Sequence, residues 1–160
     1  SEGVRSGELI KFSKKGVVFK TWEGEMSQGI SGAQIFSFSV ANKEKEVINL
    51  IVSQVNGCTY CQAAHTAIGK MNGFTDEQII SLRKGTAPFD AKFDALVKTA
   101  KAIAENKGKV SDDTLDTFFD AGYTQENFVD LIVNVGEKTI TNFLHNATDI
   151  PVDFPEAPKL

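Results

Sequence analysis

The only two cysteines of the chain stand three residues apart in the run Cys58-Thr59-Tyr60-Cys61-Gln62-Ala63-Ala64-His65. A bridge between them closes almost no loop, so it adds little stability by constraining the unfolded chain. A secreted scaffold would spread its cysteines to staple long loops. The spacing suits redox chemistry or metal binding instead. With Cys58 just before a helix and Cys61 in its first turn, both thiols lie near the positive end of the helix dipole, which favours the nucleophilic thiolate. Cys61 and His65 are four apart, so they share a helix face and can touch. Glu46 falls on the preceding helix, which a turn at Asn56-Gly57 folds back alongside. A carboxylate among Val47, Leu50 and Ile51 is costly unless paired, and His65 is the natural partner. Thiol, base and orienting carboxylate together have the form of an activated nucleophile.

Plainer readings stand beside this one. Glu46, Cys58, Cys61 and His65 make a four-ligand set for zinc, although a structural zinc site usually draws on a second well-spaced pair that is absent here. The cysteines can also be inert or incidentally bridged, His65 a hydrogen-bonded core histidine, and Glu46 a solvated helix charge like its neighbours Glu44 and Lys45. The redox reading is preferred, with no metal and no cofactor. His145, the other histidine, is expected in a structural or subunit-contact role, with a place near the active site as the alternative, and Tyr60 either shapes access to the thiols or packs.

Two kinds of structure must hold these residues. Residues 1–40 contain six of the thirteen glycines and a single alanine. Glu8–Ser13, Val17–Trp22 and Gln34–Val40 are rich in β formers and separated by turn signals at Lys14-Lys15-Gly16 and Gly29–Gly32. They read as a three-stranded antiparallel meander, marginal on its own. Residues 41–160 read as helices. Glu44–Val55 is apolar around most of its circumference, which predicts burial. Thr59–Met71 ends at Asn72-Gly73, a segment opened by the capping-box spacing Thr75 to Gln78 ends at Gly85, and Asp90–Glu105 and Ser111–Ala121 carry apolar stripes. Thr124–Ala147 has two apolar registers, Phe128/Leu131/Ile132/Val135 and Ile140/Phe143/Leu144/Ala147, slipping by one residue near Gly136. Phe93, Phe118, Phe119, Phe128 and Phe143 are expected in the core, and the prolines after Pro151 end helix formation.

Glu46, Cys58, Cys61 and His65, with Val52-Ser53-Gln54-Val55-Asn56-Gly57-Cys58, Ala121-Gly122-Tyr123-Thr124 and the run from Asn142 through His145 to Asp153-Phe154-Pro155, resemble the alkylhydroperoxidase D-like proteins of the carboxymuconolactone decarboxylase superfamily. The resemblance spans residues 43–160, about three-quarters of the chain. It implies a mainly α fold, a helical bundle that associates as trimers or hexamers and reduces hydroperoxides with a dithiol. Cys61 would attack the peroxide and become a sulfenic acid, and Cys58 would donate a proton and then resolve it to a disulfide. His65 and Glu46 would form the proton relay, and an external thiol or dithiol would reduce the pair again. Such a cycle is a reversible oxidation. Members of the family usually carry further helices before the motif, where this chain has its β segment. Residues 1–40, with Lys11–Gly16 and Phe19–Glu25, are more similar to small β proteins that follow a bacterial membrane anchor.

Composition narrows the remaining classes. At 160 residues, 41% hydrophobic and 24% charged, the chain has the profile of a folded globular protein. Its net charge of −4 gives no electrostatic case for nucleic acid. Lysines 11, 14, 15 and 20 alternate with acids 8, 23 and 25 and read as the solvated face of a sheet. No apolar run is long enough for a membrane helix and no signal-peptide core is visible, so a reducing cytoplasm is the expected compartment. Two other functions compete with the peroxidase: a non-redox decarboxylase or lactone-processing enzyme, for which the cysteine pair is superfluous, and an oligomeric redox-sensing or binding module.

Overall fold

The computed structural model describes the backbone of residues 8–15, 21–27 and 35–40 and the whole of residues 43–160. The chain divides into two units, residues 1–42 and 43–160. In the first, β1 (Glu8–Lys15), β2 (Thr21–Ser27) and β3 (Ile35–Val40) pair antiparallel in the order β1-β2-β3, with a register irregularity between Leu9 and Lys11. The expected turns around Gly16 and Gly29–Gly32 lie outside the described residues.

The second unit is helical: α1 (Lys43–Val55), α2 (Thr59–Met71), α3 (Asp76–Lys84), α4 (Ala91–Glu105), α5 (Asp112–Asp120) and α6 (Gln125–Thr148). Local chemistry sets the boundaries. Thr75 and Gln78 cap α3 reciprocally, each side chain accepting the other's backbone N–H, and Thr124 and Asn127 do the same for α6. The Asp90 carboxylate accepts from the N–H groups of Lys92 and Phe93 at the head of α4. Gly85 ends α3 in the left-handed region, where a glycine has no Cβ penalty.

Helix α1 is the hub. Val47, Ile48, Leu50, Ile51 and Val52 are all buried, and α1 packs against α2, α3, α4 and α6. Such all-round burial is what its apolar circumference demands. Behind it, Phe118 stacks on Tyr123 with ring centres 4.5 Å apart and meets Phe128 edge-on, which ties α5 to the start of α6. Helix α6 runs without interruption through Gly136.

Its second apolar register behaves differently from the sequence expectation. Ile140, Phe143 and Leu144 are 71%, 59% and 56% exposed, and Val129 and Val133 are also exposed. Phe143 is therefore not a core residue. The inward face of this half of α6 carries polar side chains instead. Asn142 is fully buried; its Oδ1 accepts from Asn56 Nδ2 at 3.0 Å and its Nδ2 donates to Ser53 Oγ at 3.2 Å. Asn146 Nδ2 donates to the Asn56 carbonyl at 3.0 Å. These bonds fasten α6 to the α1–α2 corner in one register.

Replacing Asn142 by Ala removes the partner of the buried Ser53 hydroxyl and one of the two acceptors of Asn56 Nδ2, at an expected cost of about 1–3 kcal/mol. Urea unfolding of Asn142→Ala against the native chain checks this; an unchanged midpoint and slope would contradict the clamp.

Candidate active site

The α1–α2 corner fixes the first cysteine. Gly57 adopts φ +62°, the Gly57 N–H donates to the Gln54 carbonyl, and the Cys58 N–H donates to the Ser53 carbonyl. This is the paired hydrogen bonding of a Schellman ending. Cys58 then caps α2, its Sγ accepting the backbone N–H of Cys61 at 3.2 Å. One residue closes α1 and opens α2. Both sulfurs therefore lie in the first turn of α2, as the sequence predicts, and they are joined as a disulfide with a Cα–Cα separation of 5.3 Å. Cys58 is fully buried and Cys61 is 2% exposed.

Glu46 and His65 meet as expected. Glu46 is 1% exposed, its Oε1 lies 2.6 Å from His65 Nδ1, and its Oε2 receives Asn49 Nδ2 at 3.5 Å. The second imidazole nitrogen is also engaged: Lys138 Nζ, from α6, lies 2.7 Å from His65 Nε2. With Lys138 protonated, Nζ donates to Nε2, which leaves Nδ1–H to donate to Glu46. Burial lowers the Lys138 pKa from its ordinary value, opposed by the carboxylates of Glu46 and Glu137 and reinforced by Lys45. Its proton is correspondingly easier to give up.

The expected contact between Cys61 and His65 is not made. Among the described residues no hydrogen bond joins them, because both His65 nitrogens are occupied by Glu46 and Lys138. The histidine at the sulfur is His145: its Nδ1 lies 3.2 Å from Cys61 Sγ. The preferred structural or subunit-contact role for His145 thus gives way to its alternative, a place beside the sulfur. Tyr60 flanks it, edge-on to the His145 ring at 4.7 Å and to Phe154 at 5.6 Å. Burial and then the Asp153 carboxylate raise the Tyr60 pKa, so this phenol stays protonated.

Lys138 and His145 were absent from the sequence-derived set. Lys138, Asn142 and His145 have the spacing i, i+4, i+7, which puts them on one face of α6. That spacing was the available signal, but it does not say which face of α6 turns inward. The four residues of the zinc alternative are not brought together as one ligand group. Among the described residues, the group with ligand atoms all within 4.8 Å of one another is Cys58, Cys61 and His145, without Glu46 or His65.

The comparisons fit this architecture. The carboxymuconolactone decarboxylase family matches residues 31–106. No curated protein matches the chain. Among solved structures, an Agrobacterium tumefaciens protein of unknown function, provisionally assigned to antioxidant defence as AhpD, superposes with a TM-score of 0.61 at 18% identity, over 74% of this chain and 79% of that one. A peroxidase-related protein from Ralstonia eutropha with an alkylhydroperoxidase AhpD core gives 0.61 at 21% identity, over 69% and 60%. The debrominase Bmp8, bound to 2,3,4-tribromopyrrole, gives 0.60 at 17% identity, over 69% and 60%. In the last two cases this chain spans about 60% of the other's length. At these identities the likeness is one of fold, and the last of them attaches that fold to a different chemistry. Fold, family match and the cysteine pair at the head of α2 agree: residues 31–106, a little under half of the chain, match the carboxymuconolactone decarboxylase family, and the helical unit has the fold of alkylhydroperoxidase AhpD-like structures.

Proposed function

We propose that the protein is a thiol-dependent peroxidase that reduces hydroperoxides through a dithiol–disulfide cycle of Cys61 and Cys58. The observation that carries this reading is the cysteine pair at the N-terminus of α2, with the imidazole of His145 on the Cys61 sulfur. In the reduced protein, the helix terminus and His145 favour the Cys61 thiolate, with His145 accepting its proton. The thiolate attacks the terminal oxygen of the hydroperoxide; the O–O bond breaks, Cys61 becomes a sulfenic acid, and the alkoxide takes up a proton as an alcohol. Cys58 then attacks the sulfenic sulfur, forming the S–S bond and releasing water. The disulfide is the oxidised end of this cycle. An external thiol or dithiol returns two electrons and two protons.

Glu46, His65 and Lys138 would supply and store the protons. A non-redox decarboxylase would leave the cysteine pair idle. All of the groups invoked lie in the helical unit. No described helix is long and apolar enough to cross a membrane, and a reducing compartment such as the cytoplasm suits a dithiol that must be recycled. The apolar stripe Ile140, Phe143 and Leu144 would be covered by further copies of the chain in a trimer or hexamer.

Turnover of an alkyl hydroperoxide with dithiothreitol as reductant tests the chemistry. Cys61→Ser is expected to abolish it, and Cys58→Ser to stall after one equivalent of peroxide; full turnover by both variants would overturn the reading. For the stripe, light scattering should find the native chain oligomeric and Leu144→Glu shifted toward monomer. A monomeric native chain would contradict that arrangement.

The buried lysine has a pH signature. Because its pKa is lowered on folding, the folded chain binds fewer protons than the unfolded one between the folded value and the ordinary lysine value of about 10.4. Stability contributed by Lys138 therefore rises with pH across that window. Urea unfolding at a series of pH values should show this rise in the native chain relative to Lys138→Met. Identical pH slopes for the two would refute it.

A further inference from the structure

We propose that reduction turns the site into a zinc site whose protein ligands are Cys58 Sγ, Cys61 Sγ and His145 Nδ1. The three atoms already lie within 4.8 Å of one another, with Cys61 Sγ and His145 Nδ1 3.2 Å apart. Ligand atoms about 3.5 Å apart are what tetrahedral zinc requires, given Zn–S near 2.3 Å and Zn–N near 2.0 Å. Opening the bridge supplies the small extra separation of the sulfurs. Two further observations suit thiolate ligands. Cys58 Sγ already accepts the Cys61 backbone N–H, a bond that stabilises negative sulfur. Both sulfurs also lie in the first turn of α2, at the positive end of its dipole.

Two thiolates and one imidazole leave the fourth position of a tetrahedral ion open for water. Glu46 and His65 take no part, because they are committed to each other and to Lys138. Binding displaces the protons of both thiols, so affinity rises with pH. It also ties up the sulfur lone pairs. The metal thus competes with hydroperoxide for the reduced site. Oxidation then expels it: two zinc-bound thiolates, one hydroperoxide and two protons give the disulfide, an alcohol, water and free zinc ion. The binding step rests on ligand geometry alone; only release by peroxide rests on the peroxidase reading.

The test uses the full chain, reduced and freed of reductant under nitrogen, then titrated with cobalt(II) and with zinc against a chromophoric chelator. Expected are one ion per chain, thiolate-to-cobalt charge-transfer and tetrahedral d–d bands that zinc abolishes, and no binding to the disulfide form. His145→Ala should weaken zinc by at least about tenfold, and His65→Ala should leave the affinity unchanged. If a variant does not fold by circular dichroism, the imidazole nitrogen resonances of the native chain decide: zinc should move those of His145 and spare those of His65. Absence of the tetrahedral bands in the reduced native chain, affinity that survives His145→Ala, or zinc shifts confined to His65 overturns the proposal. Zinc binding without peroxide turnover would sustain it while refuting the peroxidase, and the converse result would do the opposite.

Discussion

A carboxylate inside an apolar helix is the constraint on which this site depends. Glu46 lies on α1 among Val47, Ile48 and Leu50, which are fully buried. Taking an ion out of water costs several kcal/mol unless partners replace its hydration. His65 of α2 supplies the first partner and Lys138 of α6 the next, through the other imidazole nitrogen. One buried charge therefore draws three helices that are far apart in sequence into a single arrangement. It also consumes both hydrogen-bonding atoms of His65, which is why a different histidine stands beside the sulfur.

Helix α6 carries that second histidine, and its register is set by amide chemistry. Asn142 has both ends of its amide bonded to the α1–α2 corner, so α6 cannot slide without leaving buried polar groups unpaired. Lys138 and His145 flank Asn142 on the same face. The corner itself is over-determined: Gly57 turns the chain, and Cys58 both completes the ending of α1 and caps α2. Sulfurs and imidazole are thereby held by backbone bonds on one side and by the clamped helix on the other, the kind of support that keeps a reactive group in place.

Much of this was legible in the sequence because it is local. Thr75 with Gln78, Gly85 and Asn72 mark helix ends by short-range hydrogen bonds, and the structure has those ends where the residues predict. The pairing of Glu46 with His65 could be read because a buried carboxylate must find a hydrogen-bond donor and few were near. Lys138 and His145 could not be read in the same way. Each lies more than 70 residues from its partner, so its placement depends on how α6 is rotated. Apolar periodicity misled at Ile140, Phe143 and Leu144, since it marks a face that avoids water without saying that this chain covers it. The strand signals before residue 41 describe a segment whose chemistry is silent.

The central claim is that the paired cysteines are a working redox centre, and thiol counting tests it most directly. The fully reduced protein is mixed with cumene hydroperoxide and its free thiols are counted against time. The account predicts the rapid loss of both thiols of each chain, one hydroperoxide consumed for each pair, and full recovery on adding dithiothreitol. Thiols that persist in the presence of excess hydroperoxide would contradict it.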